Sequence, residues 1–406
     1  MPVRSQCSRR HVSEGDNGVS SSLLRDEVCV SRPGEPSQAE GMTATSPLTM
    51  GMAQPGPHAG AATEVVARSF HAALLDRLQQ TNGDALDPSI LQACRMAVPR
   101  WTPELELAKG LAARGSACHA NSALVQLVLG HWPQNLGFAL EFPESVTFWA
   151  RGRSLTCAGA TRFDFSSEGL HVQGMAGHVT LDGAGPWNMS RCPDRQGGGP
   201  DLYLTVEDPD PAAARHGDST VAAVALPGIA ASLASLQKVA PEYAAWIGHV
   251  ARGIRLASPT SHAKAQRILP GLLEILPSDA PLPHVEAIVN AATRQYLHMI
   301  ALTANVADPQ DTGVSFNPAK GRYWTARKAL FKAMECMHLV HVLDRYYAQG
   351  ICTDYVGDAL ADYLFNIRVE CARALAAGRG LSAQGVCLWE LVQHSIDSRS
   401  PGAVLA

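Results

Sequence analysis

Two segments near the C-terminal end show the clearest helical pattern of apolar residues. In residues 284–304 apolar side chains recur one helical turn apart, as at Ile288 and Ala292. Residues 325–347 are apolar on nearly every face in their middle, which is typical of a buried helix. Residues 307–324 hold two prolines, two glycines and two aspartates, so they predict a loop between two central helices.

Three polar residues interrupt the second of these helices: Glu335, His338 and His341. Neighbouring members of the set lie one turn apart, so each neighbouring pair faces roughly the same way. An unpaired charge is costly in an apolar interior, and buried polar groups therefore pair, hydrogen-bond or hold a metal. The pattern alone fits a hydrogen-bonded core network about as well as a functional site.

The remaining patterns divide the chain into four parts. Residues 1–62 are rich in Ser, Gly, Pro and Thr without apolar periodicity, and predict a disordered tail. Residues 63–133 predict helices, and residues 134–217 predict a β-rich module of short strands. Residues 218–398 predict a helical domain that contains both central helices. The expected fold class is therefore α+β, predominantly helical, with the β-rich module in the middle of the chain.

Local signals set several helix ends in the C-terminal part. Pro241 breaks a helical segment in two. A strong helix begins near Asp354 and is ended by Gly378 and Gly380. The last helix starts with Ser382 as its N-cap.

Composition narrows the classes of function. A chain of 406 residues with 46% hydrophobic content can bury a large core. The net charge of −4 gives no basic field for nucleic acid, and no polybasic segment or long apolar run predicts contact with a membrane. The ten cysteines are scattered without a CxxC pair and no signal peptide opens the chain, so we expect a cytoplasmic protein.

The order of several segments resembles the bacterial HExxH-motif domain family over residues 226–390. The matching pieces follow in chain order: APEYAAWIGHVARGIRL, the first central helix, GRYWTARK, MHLVHVLDRYY and LSAQGVCLWELV. The characterised type of this family is an iron- and 2-oxoglutarate-dependent peptide β-hydroxylase. The resemblance therefore implies an oxygenase-like protein acting on a peptide or natural-product intermediate in bacterial specialised metabolism.

The family motif itself is altered in this chain. Where the family has His-Glu-x-x-His, the sequence reads Arg294-Gln295-Tyr296-Leu297-His298, so only the last histidine is kept. An arginine has no lone pair for a metal, and a glutamine cannot act as a general base. The resemblance places the candidate catalytic residues at Arg294, Gln295 and Tyr296.

A bound metal would need other ligands in addition to His298. His341 together with either His338 or Glu335 would complete a set of three histidines, or of two histidines and one carboxylate. Such sets suit non-haem Fe(II). All four residues are therefore candidate metal ligands.

Three hypotheses remain open. The first is an Fe(II) and 2-oxoglutarate oxygenase with an altered metal site, in which Arg322 or Arg327 holds the distal carboxylate of 2-oxoglutarate. The second is a metal-free relative that binds a peptide, small molecule or partner protein, with Arg294 paired to a buried carboxylate such as Glu335. The third is an unrelated di-iron carboxylate enzyme, because Glu335-x-x-His338 matches half of a Glu-x-x-His pattern. A second copy of that pattern is absent from the predicted helices, so this hypothesis ranks last.

Overall fold

The computed structural model describes most of the chain from residue 47 onward. The described residues are 47–83, 86–115, 117–131, 135–150, 153–166, 170–174, 178–180, 190–191, 203–205, 219–256, 268–276, 278, 280–308, 314–317, 321–376 and 379–398. The fold is α+β and mostly helical, with a small antiparallel sheet in the middle of the chain, as the hydrophobic pattern predicts. Within these ranges, no helix combines the length and the apolar character needed to cross a membrane.

Five helices precede the first strand in the part of the chain that the structure describes. They are α1 (Pro47–Ala53), α2 (Ala59–Asn82), α3 (Pro88–Met96), α4 (Glu104–Ala113) and α5 (Ala117–His131). Asp87 caps α3, because its side chain accepts a hydrogen bond of 2.8 Å from the Ser89 backbone amide. Leu78, Ile90 and Leu111 are among the residues that bring α2, α3 and α4 into one hydrophobic core.

The prediction of a disordered tail over residues 1–62 is wrong for residues 47–62. Helix α1 and the start of α2 lie in this stretch, and Met52, Ala53 and Ala59 are buried in the larger hydrophobic core. Glycines and prolines interrupt the apolar pattern here and lower the helix propensity of the segment. Its helices are therefore stabilised by packing of small residues and methionines on the rest of the protein. Residues 1–46 lie outside the described part of the chain.

An antiparallel sheet follows the first helices. Its strands are β1 (Leu136–Ala150), β2 (Arg153–Phe165), β3 (Leu170–Gln173) and β4 (His178–Thr180). Strand β2 pairs with each of the other three. Phe138, Leu140 and Phe142 alternate with exposed residues on β1, so one face of the sheet packs on the N-terminal helices.

A second sheet crosses the predicted boundary at residue 217. Its strands are β5 (Ser190–Arg191), β6 (Tyr203–Thr205), β7 (Gly253–Leu256) and β8 (Leu272–Ile275), with β6, β7 and β8 parallel. Strands β7 and β8 lie in the part of the chain predicted to be helical, so that prediction is wrong for them. Runs of four residues are too short for periodicity to distinguish a strand from a helix.

The C-terminal part is built from helices. They are α6 (Ser219–Val239), α7 (Pro241–Val250), α8 (Pro281–Thr303), α9 (Ala326–Ala348), α10 (Thr353–Phe365), α11 (Ala372–Ala374) and α12 (Ala383–Asp397). The break at Pro241 and the N-cap at Ser382 are confirmed, since the Ser382 side chain accepts a hydrogen bond of 3.1 Å from the Gly385 amide. The helix predicted from Asp354 contains a π-helical turn, Asn366–Cys371, between α10 and α11.

The two central helices of the sequence prediction are α8 and α9. The segment between them is more regular than predicted, because it contains an antiparallel hairpin of β9 (Val314–Asn317) and β10 (Arg322–Thr325). Thr325 then caps α9 by accepting a hydrogen bond from the Lys328 amide. Helices α8 and α9 lie in the larger core, which also receives residues from α1, α6, α7, α10 and α12.

Packing of α1 can be tested with two methionine substitutions. Met52 is 0% exposed whereas Met96, at the end of α3, is 54% exposed. Replacing Met52 by Ala should lower the free energy of unfolding by about 2–5 kcal/mol, because it removes buried methylenes and leaves a cavity. Met96→Ala is the matched control and should change it by less than about 0.5 kcal/mol. Equal denaturant midpoints for the two variants would show that α1 does not pack on the core.

Candidate functional site

Arg294, Gln295 and Tyr296 are consecutive residues of α8, so their side chains leave the helix about 100° apart. Arg294 points towards α9, where its Nε donates a hydrogen bond of 3.0 Å to Glu335 Oε1. The other two side chains contact different parts of the protein. The structure therefore does not bring the three candidate catalytic residues together.

The Gln295 side chain forms two hydrogen bonds through its oxygen and two through its nitrogen. Its Oε1 accepts hydrogen bonds from Trp101 Nε1 at 2.8 Å and from the Gly271 amide at 3.2 Å. Its Nε2 donates to the carbonyls of Leu269 and Leu272, each at 3.0 Å. One side chain thus ties α8 to the segment before α4 and to the start of β8.

Tyr296 lies in an aromatic stack at the centre of the C-terminal part. Its ring lies 4.1 Å from that of Trp246 and nearly parallel to it, and the His338 ring lies 4.7 Å from Trp246. The Tyr296 hydroxyl donates a hydrogen bond of 2.8 Å to the Trp246 carbonyl. Burial raises the pKa of Tyr296, while a hydrogen bond with Thr63 opposes the shift, so the phenol is neutral at pH 7.

The carboxylate of Glu335 contacts two cationic side chains, Arg294 and Lys332. We call these three residues the Glu335 cluster. Lys332 Nζ lies 3.2 Å from Glu335 Oε2, on the other oxygen from Arg294. The carboxylate is 11% exposed, whereas the side chains of Arg294 and Lys332 are 41% and 32% exposed. The predicted pairing of Arg294 with a buried Glu335 is confirmed.

The charge state of Lys332 follows from this contact. Burial by itself lowers the pKa of a lysine, but here the neighbouring Glu335 carboxylate outweighs burial and the pKa of Lys332 is raised. The ammonium therefore stays charged over the physiological range. The three side chains of the Glu335 cluster carry two positive charges and one negative charge.

His298 lies one helical turn after Arg294 on α8. Its ring packs against Trp101 with a centroid distance of 5.7 Å. Burial lowers the pKa of His298, and Glu106 on α4 partly opposes that shift. Its environment is therefore the contact between α8 and the N-terminal helices.

His338 and His341 share one hydroxyl group. Tyr243, on α7, lies 3.0 Å from His338 Nδ1 and 3.2 Å from His341 Nδ1. The Nε2 atom of His341 lies 2.6 Å from Ser395 Oγ on α12. We call these four residues the Tyr243 network; it connects α7, α9 and α12.

Burial sets the charge of His338. It lowers the pKa of His338 to about 3, His341 adds to that shift, and a hydrogen bond with the Ala53 backbone opposes it. His338 is therefore neutral at pH 7, with a proton on one ring nitrogen and a lone pair on the other.

The Tyr243 hydroxyl has one proton, so it donates to the Nδ1 atom of one histidine and accepts from the Nδ1–H of the other. When it donates to His338 Nδ1, a neutral His341 has its lone pair on Nε2, next to the Ser395 hydroxyl.

The four candidate metal ligands do not form a metal site in the described structure. Glu335 is neutralised by two cations, His298 packs on Trp101, and the Nδ1 atoms of His338 and His341 both contact Tyr243. Among the described residues no group of three or more His, Cys, Asp or Glu side chains is arranged to hold a metal ion. The residues present do not fit an iron centre.

The candidate ligands for 2-oxoglutarate lie near the start of α9. Arg327 is exposed in the first turn of the helix. Arg322 begins β10, and its side chain lies outside the described part of the structure. Of the aromatic residues between them, Trp324 is buried in the core and Tyr323 is largely exposed.

Sequence reasoning missed Lys332, Tyr243 and Ser395. Lys332 lies three residues before Glu335, and this spacing on a predicted helix is a recognisable signal for an ion pair. No comparable signal marks Tyr243 or Ser395, because they reach His341 from helices far away in the sequence.

No protein-family model matches the sequence, and no curated protein matches it.

Gln295 provides a direct test of the described geometry. In Gln295→Glu one carboxylate oxygen would keep the donors Trp101 and Gly271, while the other would face the carbonyls of Leu269 and Leu272 without a donor. The free energy of unfolding should fall by about 2–4 kcal/mol, since a buried charged acceptor is left unsatisfied. Gln237→Glu, at an exposed position of α6, is the matched control and should leave the denaturant midpoint nearly unchanged. If the Gln295→Glu protein unfolds like this control, Gln295 does not hold the two carbonyls.

Proposed function

We propose that this chain is a metal-independent binding protein that holds a carboxylate-bearing peptide or small molecule at the Glu335 cluster. One observation carries the proposal: Arg294 and Lys332 both contact the Glu335 carboxylate, and the side chains of both cations are partly exposed. Partly exposed cations at a half-buried site favour a negatively charged ligand group.

Lys332 is the residue best suited to contact the ligand. Its ammonium has three donors, and the contact with Glu335 Oε2 uses one of them. A ligand carboxylate on the exposed side of Lys332 would receive a charge-assisted hydrogen bond, which is shorter and stronger than a neutral one. Arg294 would keep Glu335 neutralised while the ligand is bound.

The class of ligand comes from the resemblance to the HExxH-motif domain family, whose characterised type acts on peptides. A peptide ends in a carboxylate, so it has the group that the Glu335 cluster favours. A partner protein with an exposed C-terminus would present the same group. We also propose a cytoplasmic location, because every cysteine in the described ranges is a free thiol, as expected in a reducing compartment.

Oxidative chemistry with Fe(II) and 2-oxoglutarate has weaker support. Arg294 stands where the family has its first histidine, and it forms an ion pair with Glu335, one of the candidate ligands. The di-iron hypothesis also uses Glu335 and His338, whose side chains contact different partners. No observed contact favours either metal-dependent hypothesis over a binding function.

The proposal is tested with two peptide mixtures of identical sequence, one with free C-terminal carboxylates and one with amidated C-termini. In buffer containing EDTA, the full chain should retain members of the free-acid mixture in equilibrium dialysis and release the amidated ones. Lys332→Met should weaken retention by about tenfold or more, since a hydrogen bond to a charged group contributes about 1.5–3 kcal/mol.

The control is Lys238→Met, which removes an exposed lysine from α6 and should retain peptides like the parent protein. Melting temperatures of both variants show whether each remains folded. Equal retention of the two mixtures, or retention of neither mixture, would contradict the proposed function.

A further inference from the structure

A serine and a histidine meet on the opposite side of α9 from the Glu335 cluster. Ser395 Oγ, on α12, lies 2.6 Å from His341 Nε2. This is the distance at which a histidine can accept the proton of a serine that attacks an electrophile. The second ring nitrogen of His341 contacts the Tyr243 hydroxyl at 3.2 Å.

The Tyr243 network can hold His341 in the tautomer that this reaction needs. When the Tyr243 hydroxyl donates to His338 Nδ1, its oxygen is left as an acceptor for His341 Nδ1–H. His341 Nε2 then carries a lone pair next to the Ser395 hydroxyl.

The residues of the Tyr243 network differ in how far they are buried. Tyr243 and His338 are almost completely buried, at 2% and 1% exposure, so their hydrogen bonds are protected from water. His341 and Ser395 are only partly buried. Solvent near these two residues can stabilise the imidazolium that forms when His341 accepts a proton.

We propose that Ser395 is a nucleophile for carboxylic esters, with His341 as its general base and with Tyr243 and His338 as positioning residues. In the first step Ser395 Oγ bonds to the ester carbonyl carbon and its proton moves to His341 Nε2. The bond from that carbon to the alkoxy oxygen then breaks, and the alcohol leaves with the proton from His341. Water, deprotonated by His341, next attacks the acyl-serine and releases the acid and the free Ser395 hydroxyl.

This site is independent of the proposed carboxylate-binding function. Glu335 and His341 are six residues apart on α9, so their side chains leave the helix on different sides. None of the contacts in the Tyr243 network involves Arg294, Lys332 or Glu335. A variant that loses carboxylate binding can therefore still be tested for reaction at Ser395, and a variant that loses reaction at Ser395 can still be tested for carboxylate binding.

The first test uses a fluorophosphonate probe on the full chain. Attack by Ser395 Oγ forms an O–P bond and releases fluoride, while the proton goes to His341. We expect mass spectrometry to place the adduct on Ser395 and not on Ser69, an exposed serine whose hydroxyl bonds the Val65 carbonyl. Ser395→Ala should abolish the adduct, and His341→Gln should slow its formation about 10²-fold or more.

A second variant keeps the test decisive if the substitution at His341 unfolds the protein. In Ser395→Cys the introduced thiol lies beside His341 and should react with iodoacetamide at least about tenfold faster than Cys352, an exposed free thiol. Reaction of both thiols at the same rate would overturn the proposal. So would the absence of an adduct on Ser395 in the parent protein, or equal labelling of the parent and His341→Gln.

The positioning role of Tyr243 has its own readout. In protein labelled with ¹⁵N-histidine, the ring nitrogens of His341 should show a proton on Nδ1 in the parent chain. Tyr243→Phe removes the acceptor of that proton, so the tautomer ratio of His341 should shift and probe labelling should slow. An unchanged His341 spectrum in a folded Tyr243→Phe protein would show that Tyr243 does not orient the histidine.

Discussion

A buried polar side chain on α8 or α9 needs a hydrogen-bond partner, and this requirement organises the centre of the protein. Most residues of these helices are apolar, so each polar residue is costly unless the protein supplies its partner. Gln295 meets the requirement because it accepts hydrogen bonds from two donors and donates hydrogen bonds to two carbonyl acceptors. Glu335 meets it with Arg294 and Lys332, and His338 meets it with Tyr243 and Ala53.

The same requirement separates α9 into two regions of different chemistry. Around Glu335 the groups are permanently charged, partly exposed and suited to holding a negatively charged ligand. Around His341 the groups are joined by hydrogen bonds to Tyr243 and Ser395, and the direction of these bonds sets which nitrogen holds a lone pair. A metal-binding arrangement would require the polar groups of both regions to converge on one point, and helix geometry directs them apart.

Much of the fold was predictable because it depends on local patterns. The apolar periodicity of α8 and α9, the break at Pro241 and the N-cap at Ser382 are all short-range features. The β7 and β8 strands and helix α1 were not predictable in this way. Their runs are short, or are interrupted by glycine and proline, and long-range packing decides their structure.

The candidate site was predictable only in part. The partnership of Arg294 with Glu335 was expected from the resemblance to the HExxH-motif domain family, which puts Arg294 where a metal ligand would stand, near a buried carboxylate. The different directions of Arg294, Gln295 and Tyr296 follow from the helical rotation of about 100° per residue. In contrast, Tyr243 and Ser395 come from helices whose positions the sequence does not encode locally, and so the roles of His338 and His341 appear only in the folded protein.

We propose that Arg294 and Lys332, and no metal ion, balance the charge of Glu335. The most direct test is elemental analysis of the purified full chain after anaerobic loading with Fe(II) or Zn(II) and removal of unbound metal. A protein in which Arg294 and Lys332 neutralise Glu335 should retain far less than one metal atom per chain, with an unchanged melting temperature. Retention of one iron atom per chain, released by a chelator together with a fall in melting temperature, would contradict the claim.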